Sequence, residues 1–266
     1  MADSNPNDVV LLERRGNVAV ITLNRPEAMN AVNSELATAL GSRLEECDND
    51  PEVRAIVLTG NGRGFCAGAD LKAIASGQDI NPVGHPEWGF GGMVRHYVDT
   101  PVIAAVNGFA LGGGTELVLA SDLAVIDENA KLGLPEVKRG LFAAAGGVMR
   151  LPRQIPLKIA LEAALTGEHM PAETALQWGL VNRIAPAGTS LEVALQLAET
   201  IAANAPLSVQ QSKRVIHRSA AYGSEWDEPI WEELNKSALG IVFASQDAIE
   251  GPTAFAEKRE PKWTGR

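Results

Sequence analysis

Two short apolar segments, each followed by a glycine-rich loop and then by a predicted helix, limit the possible folds of this chain. The apolar segments are residues 55–59 and 102–106, and the loops are residues 60–69 and 107–114. Short apolar segments between glycine-rich turns are typical of strands that are buried on both faces of a sheet. Because strand, loop and helix recur in this order, we predict an α/β fold with short β-strands.

Further elements are predicted on both sides of this repeat. Residues 9–12 and 18–23 have strand character, and the turn residues 14–17 between them predict a hairpin. Leucines on one face predict a helix over residues 34–48, with Ser34 as its N-cap. Other predicted strands are residues 123–127, 130–134 and 182–184.

The predicted strands end before residue 191, which divides the chain into two parts. We expect residues 1–190 to form the core and to hold the active site. Residues 191–266 predict helices only and include Trp226 and Trp231. This second part is predicted to be a separate helical layer or an arm used in oligomerisation.

The acidic composition argues against several classes of partner. The 266 residues carry a formal net charge of −10, and no cluster of Lys and Arg is present to neutralise the phosphates of a nucleic acid. Cys47 and Cys66 are the only cysteines, so we expect no disulfide framework and a cytoplasmic location. Residues 1–8 are unlike a signal peptide, and no apolar run approaches the ~18 residues of a membrane span.

Two glutamates next to glycine-rich backbone are the candidate catalytic acids. Glu116 ends the run Gly-Gly-Gly-Thr-Glu, and Glu136 precedes a glycine-rich stretch at residues 143–147. Each has a simpler interpretation, Glu116 as an acid in the first turn of a helix and Glu136 as a surface acid paired with Lys138 or Arg139. If both lie in one apolar pocket, their carboxyls can hold different protonation states, which is the basis of acid/base catalysis.

The glycine-rich loops at residues 62–72 and 108–116 expose backbone N–H groups to a ligand. A helix N-terminus behind three glycines suits an oxyanion, whereas the alternative is a tight turn with Asp70 as an N-cap. The spacing matches neither a dinucleotide-binding nor a P-loop motif. The histidines show no metal-ligand spacing, no Gly-x-Ser-x-Gly motif occurs, and Cys66 lacks a recognisable base, so we interpret it as an apolar filler.

Several segments together resemble the enoyl-CoA hydratase (crotonase) family. Their order and spacing match that family over nearly the whole chain. The segments are residues 24–31 (Asn-Arg-Pro-Glu-Ala-Met-Asn-Ala), 65–71 (Phe-Cys-Ala-Gly-Ala-Asp-Leu), 107–116 (Asn-Gly-Phe-Ala-Leu-Gly-Gly-Gly-Thr-Glu), 135–136 (Pro-Glu) and 250–259. The resemblance implies a spiral of repeated ββα units and a C-terminal helical region that builds homotrimers or dimers of trimers and covers the acyl-CoA site.

The resemblance also implies a substrate and its binding residues. The substrate is an acyl-CoA thioester, with coenzyme A as part of the substrate and no permanently bound cofactor. The N–H groups of Ala69 and Gly113 would form the oxyanion hole for the thioester oxygen. The pantetheine would lie near Ala28, and Arg25 or Lys258 would meet the CoA phosphates. The residues implied in substrate binding are Arg25, Ala28, Ala67, Asp70, Leu71, Lys72, Gly112 and Lys258.

Both glutamates match those of true hydratases, so the resemblance favours an enoyl-CoA hydratase of fatty-acid metabolism. This enzyme adds water syn to a trans-2-enoyl-CoA and gives a 3-hydroxyacyl-CoA, with Glu116 activating water and Glu136 transferring a proton at the α-carbon. An isomerase, another crotonase-type enzyme and a non-catalytic acyl-CoA-binding assembly subunit are the alternatives. We expect the variable segment 77–99, with Trp88, Phe90 and Met93, to shape the acyl pocket.

Overall fold

Two β-sheets form the centre of the molecule in a computed structural model that describes residues 5, 7–222 and 228–266. Trp226 lies outside the described residues. The strands of the described part are β1 (Val10–Arg15), β2 (Val18–Leu23), β3 (Ala55–Gly60), β4 (Gly64–Cys66), β5 (Val102–Val106), β6 (Phe109–Leu111), β7 (Leu123–Asp127), β8 (Lys131–Gly133), β9 (His169–Pro171) and β10 (Arg183–Ala185).

The larger sheet has six strands in the order β1-β2-β3-β5-β7-β10. Its first pair is antiparallel and the other pairs are parallel. The predicted hairpin is present, but β1 extends to Arg15 and the turn consists of Gly16 and Asn17 alone. Gly16 has a φ of 61°, which glycine adopts without the steric cost that a Cβ would bring.

The smaller sheet has four strands in the order β4-β6-β8-β9. Strands β4 and β6 lie inside the two segments that were predicted to be loops. Along the chain, β3, β5 and β7 join the larger sheet, and each is followed directly by a strand of the smaller sheet. This alternation confirms the predicted α/β spiral of repeated ββα units.

Helices pack on both faces of the larger sheet. The helices of the described part are α1 (Ser34–Asp48), α2 (Leu71–Ala75), α3 (Gly113–Ala120), α4 (Gly147–Gln154), α5 (Leu157–Thr166), α6 (Ala172–Gln177), α7 (Ser190–Ala202), α8 (Pro206–Ser219), α9 (Lys236–Phe243) and α10 (Asp247–Glu257). A π-helix covers Ile230–Asn235, and a short 3-10 helix covers Pro135–Arg139.

Alternation along the strands assigns side chains to two buried clusters. In β3, Ile56 and Leu58 join the larger cluster between the sheets, to which α1 contributes Leu40. Ala55 and Val57 point to the other face, where they join the cluster that contains Ala194 of α7. A period of two is expected for a strand buried on both faces.

The predicted cap of α1 is wrong by one residue. Asn33, not Ser34, is the N-cap, and its side-chain oxygen accepts the N–H of Leu36 at 2.9 Å. Asn33 has the extended backbone that an N-cap requires. The hydroxyl of Ser34 instead donates to the carbonyl of Asn81 at 2.6 Å, which ties the variable segment to α1.

Within its described residues, the C-terminal part contains helices and no strand. Helix α7, which begins at the predicted division of the chain, packs against β3, β5 and β7 of the larger sheet. Helices α8 and α10 contact α9, and the side chain of Trp263 lies against Gly251 of α10. The predicted roles in oligomerisation and as a lid stay predictions. None of the described helices has the length and apolar character needed to cross a membrane.

Candidate active site

Glu116 lies in the first turn of α3 and is 3% exposed. The backbone N–H of Gly147 donates a hydrogen bond of 2.8 Å to its Oε1. A Cβ atom added to Gly147 would lie 3.1 Å from this oxygen, and 2.6 Å from the Cβ of Ala143. Glycine at this position therefore allows the backbone after the 143–146 loop to approach the carboxyl.

The side chain of Glu136 lies beside Gly112, the residue that precedes α3. Glu136 lies in the 3-10 helix Pro135–Arg139, and a Cβ added to Gly112 would be 3.0 Å from its Oε1. Its Oε2 is buried and has no hydrogen-bond partner among the described residues. Lys138 pairs instead with Glu168 at 2.6 Å, so the alternative of a surface pair between Glu136 and Lys138 is wrong. The fold thus brings both acids to the turn before α3.

Burial raises the pKa of both carboxyls. The pKa of Glu116 rises to about 7 because of burial and the nearby Glu136, although the N–H groups of Gly147 and Ala145 favour the ionised form. Burial also raises the pKa of Glu136, against its own backbone N–H and Arg139. A carboxyl with a pKa of about 7, such as that of Glu116, can both give and take a proton at neutral pH.

Two backbone N–H groups lie on adjacent segments beside these acids. A Cβ added to Gly68 would lie 2.7 Å from the carbonyl oxygen of Leu111 and 3.0 Å from the nitrogen of Gly113. Gly113 is the first residue of α3, so its N–H has no acceptor within the helix. The bridge between Val32 and Ala69 uses the carbonyl of Gly68 and the N–H of Asp70. In a parallel bridge of this kind, the N–H of Ala69 points away from Val32.

Asn30 and Thr115 hold these segments in place, and the sequence reasoning did not identify them. The buried amide of Asn30 donates to the carbonyls of Gly64 and Phe65 at 2.9 and 3.1 Å. The hydroxyl of Thr115 donates to the carbonyl of Ala110 at 2.6 Å and accepts the N–H of Gly133 at 2.9 Å. Both lie inside segments that resemble the family, at residues 24–31 and 107–116. Their position in these segments is the sequence signal that could have identified them.

Cys66 has the environment of an apolar filler, as predicted. Its side chain is completely buried, and burial raises the pKa of its thiol to about 12. A thiol with such a pKa is not ionised at neutral pH and is a poor nucleophile. In the described part of the chain, no group of three or more His, Cys, Asp and Glu side chains could hold a metal ion.

The loop that leads into α2 has an internal ion pair and an exposed edge, here called the rim. Asp70 caps α2 by accepting the N–H groups of Lys72 and Ala73, both at 3.2 Å. Arg25, whose side chain is 17% exposed, pairs with Asp70 at 3.2 Å and also donates to the carbonyl of Ala31. The guanidinium of Arg25 is therefore used within the loop. Exposed or half-buried residues remain along the rim, namely Ala28, Ala67, Leu71 and Lys72.

Comparison with known proteins decides the family. The family model described as enoyl-CoA hydratase/isomerase matches residues 13–266. The chain belongs to this family. A carnitinyl-CoA dehydratase of Salmonella typhimurium is 42% identical, over 96% of this chain and 98% of the relative. The predictions of the family and of an enzyme are thereby confirmed.

Solved structures of this enoyl-CoA hydratase/isomerase family have the same fold. The enoyl-CoA hydratase of Mycobacterium tuberculosis H37Rv is 46% identical, with a TM-score of 0.91 and coverage of 98% of this chain and 100% of that one. A carnitinyl-CoA hydratase of Mycobacterium avium is 56% identical, with a TM-score of 0.77 and the same coverage. The predicted fold class is confirmed.

Lys258 ends helix α10 in this member of the family. It is the C-cap of α10, with a φ of 54°. Among the described residues, no hydrogen bond or ion pair joins Lys258 to Arg25, to Lys72 or to either glutamate. A role at the CoA phosphates, on this chain or on a neighbouring subunit, stays a prediction.

The variable segment contributes one of its predicted residues to a cavity beside the acids. The ring of Phe90 packs on Gly113, where an added Cβ would be 2.3 Å from a ring carbon. Phe90 also lines a cavity of about 440 Å³ together with residues of the loop that holds Glu116. Trp88 instead packs on Gly41 of α1, stacked between His85 and His96. Met93 lines a neighbouring cavity.

Proposed function

We propose that this protein is an enoyl-CoA hydratase that adds water syn to a trans-2-enoyl-CoA and gives a 3-hydroxyacyl-CoA. The observation that carries the proposal is that both acids lie at Gly112. A Cβ added to Gly112 would be 3.0 Å from Oε1 of Glu136, and the carbonyl of Gly112 accepts the N–H of Glu116 at 3.0 Å. Two acids with raised pKa beside free backbone N–H groups match the needs of addition to a conjugated thioester.

The oxyanion hole would stabilise the charge that forms during addition. When water attacks the β-carbon, the electrons of the double bond move towards the thioester oxygen and form an enolate. The N–H groups of Ala69 and Gly113 donate to this oxygen from fixed backbone. Loss of one such donor typically slows a reaction by roughly 10²- to 10³-fold.

The two acids divide the proton transfers. Ionised Glu116 takes a proton from the attacking water as its oxygen bonds to the β-carbon. Protonated Glu136 then gives its proton to the α-carbon, and the enolate collapses to the thioester. Glu116 ends protonated and Glu136 ionised, so a proton must pass between them or through solvent before the next turnover.

Coenzyme A would enter as part of the substrate, along the exposed rim of the loop before α2. Ala67, Leu71 and Lys72 offer exposed surface there. Ala28 is the last residue of a second short 3-10 helix, Pro26–Ala28. Asp70 and Arg25 keep the loop in shape through their ion pair. We further propose that residues 191–266 assemble the chain into a homotrimer or a dimer of trimers and cover this site.

Dehydration of carnitinyl-CoA is a second candidate and uses the same chemistry in reverse. It is favoured by the relatives named for that substrate, one of which is 42% identical over 96% of the chain. The two candidates differ in the group at the far end of the acyl chain. Both use Glu116 and Glu136 for the proton transfers. Comparing neutral with quaternary-ammonium acyl groups on the same enzyme distinguishes them.

Substitution of Glu136 tests the proposal. We expect Glu136→Gln to lower the hydration rate by at least about 10²-fold, because general acid catalysis is typically worth 10²- to 10⁴-fold. Hydration is followed by the loss of the conjugated thioester absorbance. Binding of a saturated acyl-CoA should persist, and the exposed Glu173 provides a matched control as Glu173→Gln. Turnover at the wild-type rate in Glu136→Gln would contradict the assignment.

A panel of enoyl-CoAs separates the alternatives. The panel includes short, long, branched and ring-bearing acyl groups, and each product is identified by its mass and by the conjugated thioester absorbance. Addition of 18 mass units supports hydration, while a moved double bond at unchanged mass supports an isomerase. Tight binding without any conversion of the panel supports a non-catalytic acyl-CoA binder.

A further inference from the structure

The cavity beside the catalytic loop has strongly cationic walls. Its lining residues include Arg95, Arg150 and Arg153, with Phe90 as the aromatic member. A second cavity of about 470 Å³ shares these three arginines and adds Lys213. In a chain with a formal net charge of −10, such a concentration of positive charge is unusual. Walls of one sign of charge attract anionic ligands to such a cavity.

The protein supplies little neutralisation. Asp122 is the carboxylate in the walls of the two cavities, and it is already engaged. Lys213 pairs with it at 2.7 Å, and Nε2 of His217 lies 2.8 Å from its other oxygen. Its oxygen Oδ2 also accepts the N–H of Val102 at 2.8 Å. The charges of the arginines are therefore not balanced by Asp122.

Two of the three arginines have unused donors. Arg150 is tied to backbone, since its guanidinium donates to the carbonyls of Val94 and Ala145. The guanidinium groups of Arg95 and Arg153 make no hydrogen bond or ion pair within the described residues, and both side chains are exposed. Each can present a planar fork of donors to a carboxylate.

The cationic cavity adjoins the turn at Gly113, where the proposed function places the thioester. Its wall includes Ala145 and Gly146, which directly precede the N–H that binds Glu116. It also includes Phe90, whose ring packs on Gly113. An acyl chain whose thioester oxygen lies at Ala69 and Gly113 would therefore extend into this cavity.

We propose that the acyl group of the substrate ends in a carboxylate, and that Arg95 and Arg153 bind this carboxylate. The inference rests on the proposed hydratase function and specifies its substrate class as a CoA thioester of an unsaturated dicarboxylic acid. Arg150 adds positive charge from its fixed position. A methyl-ended chain gains nothing from these groups, and a quaternary-ammonium end is repelled by them.

Three enoyl-CoAs of matched length test this proposal, ending in a carboxylate, a methyl group or a quaternary ammonium group. We expect kcat/KM to fall in that order for the wild-type protein. Arg95→Gln and Arg153→Gln should each lower the ratio of kcat/KM between the carboxylate and methyl substrates by roughly 10- to 100-fold, the usual range for a charge-assisted hydrogen bond. Arg183→Gln, at an exposed position of β10, is the control.

Charge reversal distinguishes recognition from a structural effect. Arg153→Glu should move the preference from the carboxylate substrate towards the quaternary-ammonium substrate. Equal losses on all three substrates, or a wild-type enzyme that prefers the methyl or ammonium substrate, would overturn the inference while leaving hydration intact. No turnover of any enoyl-CoA by the wild-type protein would instead count against the proposed function itself.

Discussion

Glu116 holds a carboxyl whose pKa is about 7, mainly because the side chain is buried. As the proposed base for water, it must be ionised, whereas Glu136 must be protonated. We therefore expect a bell-shaped dependence of kcat/KM on pH, with one limb near pH 7, and both limbs belong to the pair of acids. Rates measured between pH 5 and 9 with one enoyl-CoA check this. A rate that is independent of pH across this range would contradict the assigned roles.

The same pKa shift has a consequence for stability. Between the ordinary value of 4.5 and the folded value of about 7, the folded protein binds more protons at Glu116 than the unfolded chain does. Stability therefore falls as pH rises through this window. Because Gln cannot ionise, the free energy of unfolding of Glu116→Gln should rise relative to wild type from pH 5 to pH 8, by up to about 3 kcal/mol.

Urea denaturation at several pH values measures this difference. Glu173→Gln changes an exposed acid and should show no such trend. A constant difference between Glu116→Gln and wild type across the pH range would show that the carboxyl is not shifted in the folded protein.

At the scale of elements, the close approach of the two glycine loops is the feature most open to test. Gly68 has a φ of 93°, and an added Cβ would lie 3.0 Å from the nitrogen of Gly113. Gly68→Ala should therefore displace one N–H of the oxyanion hole and lower kcat by roughly 10²- to 10³-fold.

Gly77 offers a matched control for this substitution. Its φ is 76°, and a Cβ added there would meet no atom within 4 Å. Gly77→Ala thus places an alanine at a positive φ, as Gly68→Ala does, but its Cβ contacts no neighbouring backbone. We expect kcat to stay close to the wild-type value. Comparable losses of kcat in both variants would mean that the approach of Gly68 to Gly113 is not what matters for catalysis.

The elements also differ in how well the sequence predicts them. Strands β3 and β5 are mostly apolar and buried on both faces, so composition alone identifies them. Strands β4 and β6 have three residues each, too few to establish a period of two beside glycine. The cap of α1 was misassigned because Asn33 and Ser34 both favour an N-cap and only the backbone conformation separates them.

At the scale of the whole molecule, helices near the C-terminus expose large apolar side chains. Phe243 of α9 and Ile249 and Phe255 of α10 are 73%, 73% and 86% exposed in the single chain. Apolar side chains with such exposure often mark an interface. We expect a homotrimer, or a dimer of trimers, so light scattering should give about 84 kDa or twice that mass from chains of 28.1 kDa each. A monomer at micromolar concentration would contradict this expectation.

Long-range arrangement limits what sequence motifs can predict. The motifs identify Glu116 and Glu136 as candidates, but their meeting depends on how the fold brings the side chain of Glu136 to Gly112, the residue before α3. The cationic cavity carries no motif at all. Arg95 comes from the variable segment, while Arg150 and Arg153 come from α4, and only the packing of these segments brings their charges together.

Hydrogen–deuterium exchange at the α-carbon of a saturated acyl-CoA tests the central division of labour most directly. Exchange needs the oxyanion hole and the acid that serves the α-carbon, but it needs no attacking water. We predict exchange in D₂O with wild type and with Glu116→Gln, which has lost hydration, and at least about 10²-fold slower exchange with Glu136→Gln. Exchange that is lost in Glu116→Gln and kept in Glu136→Gln would contradict the assignment of the two acids.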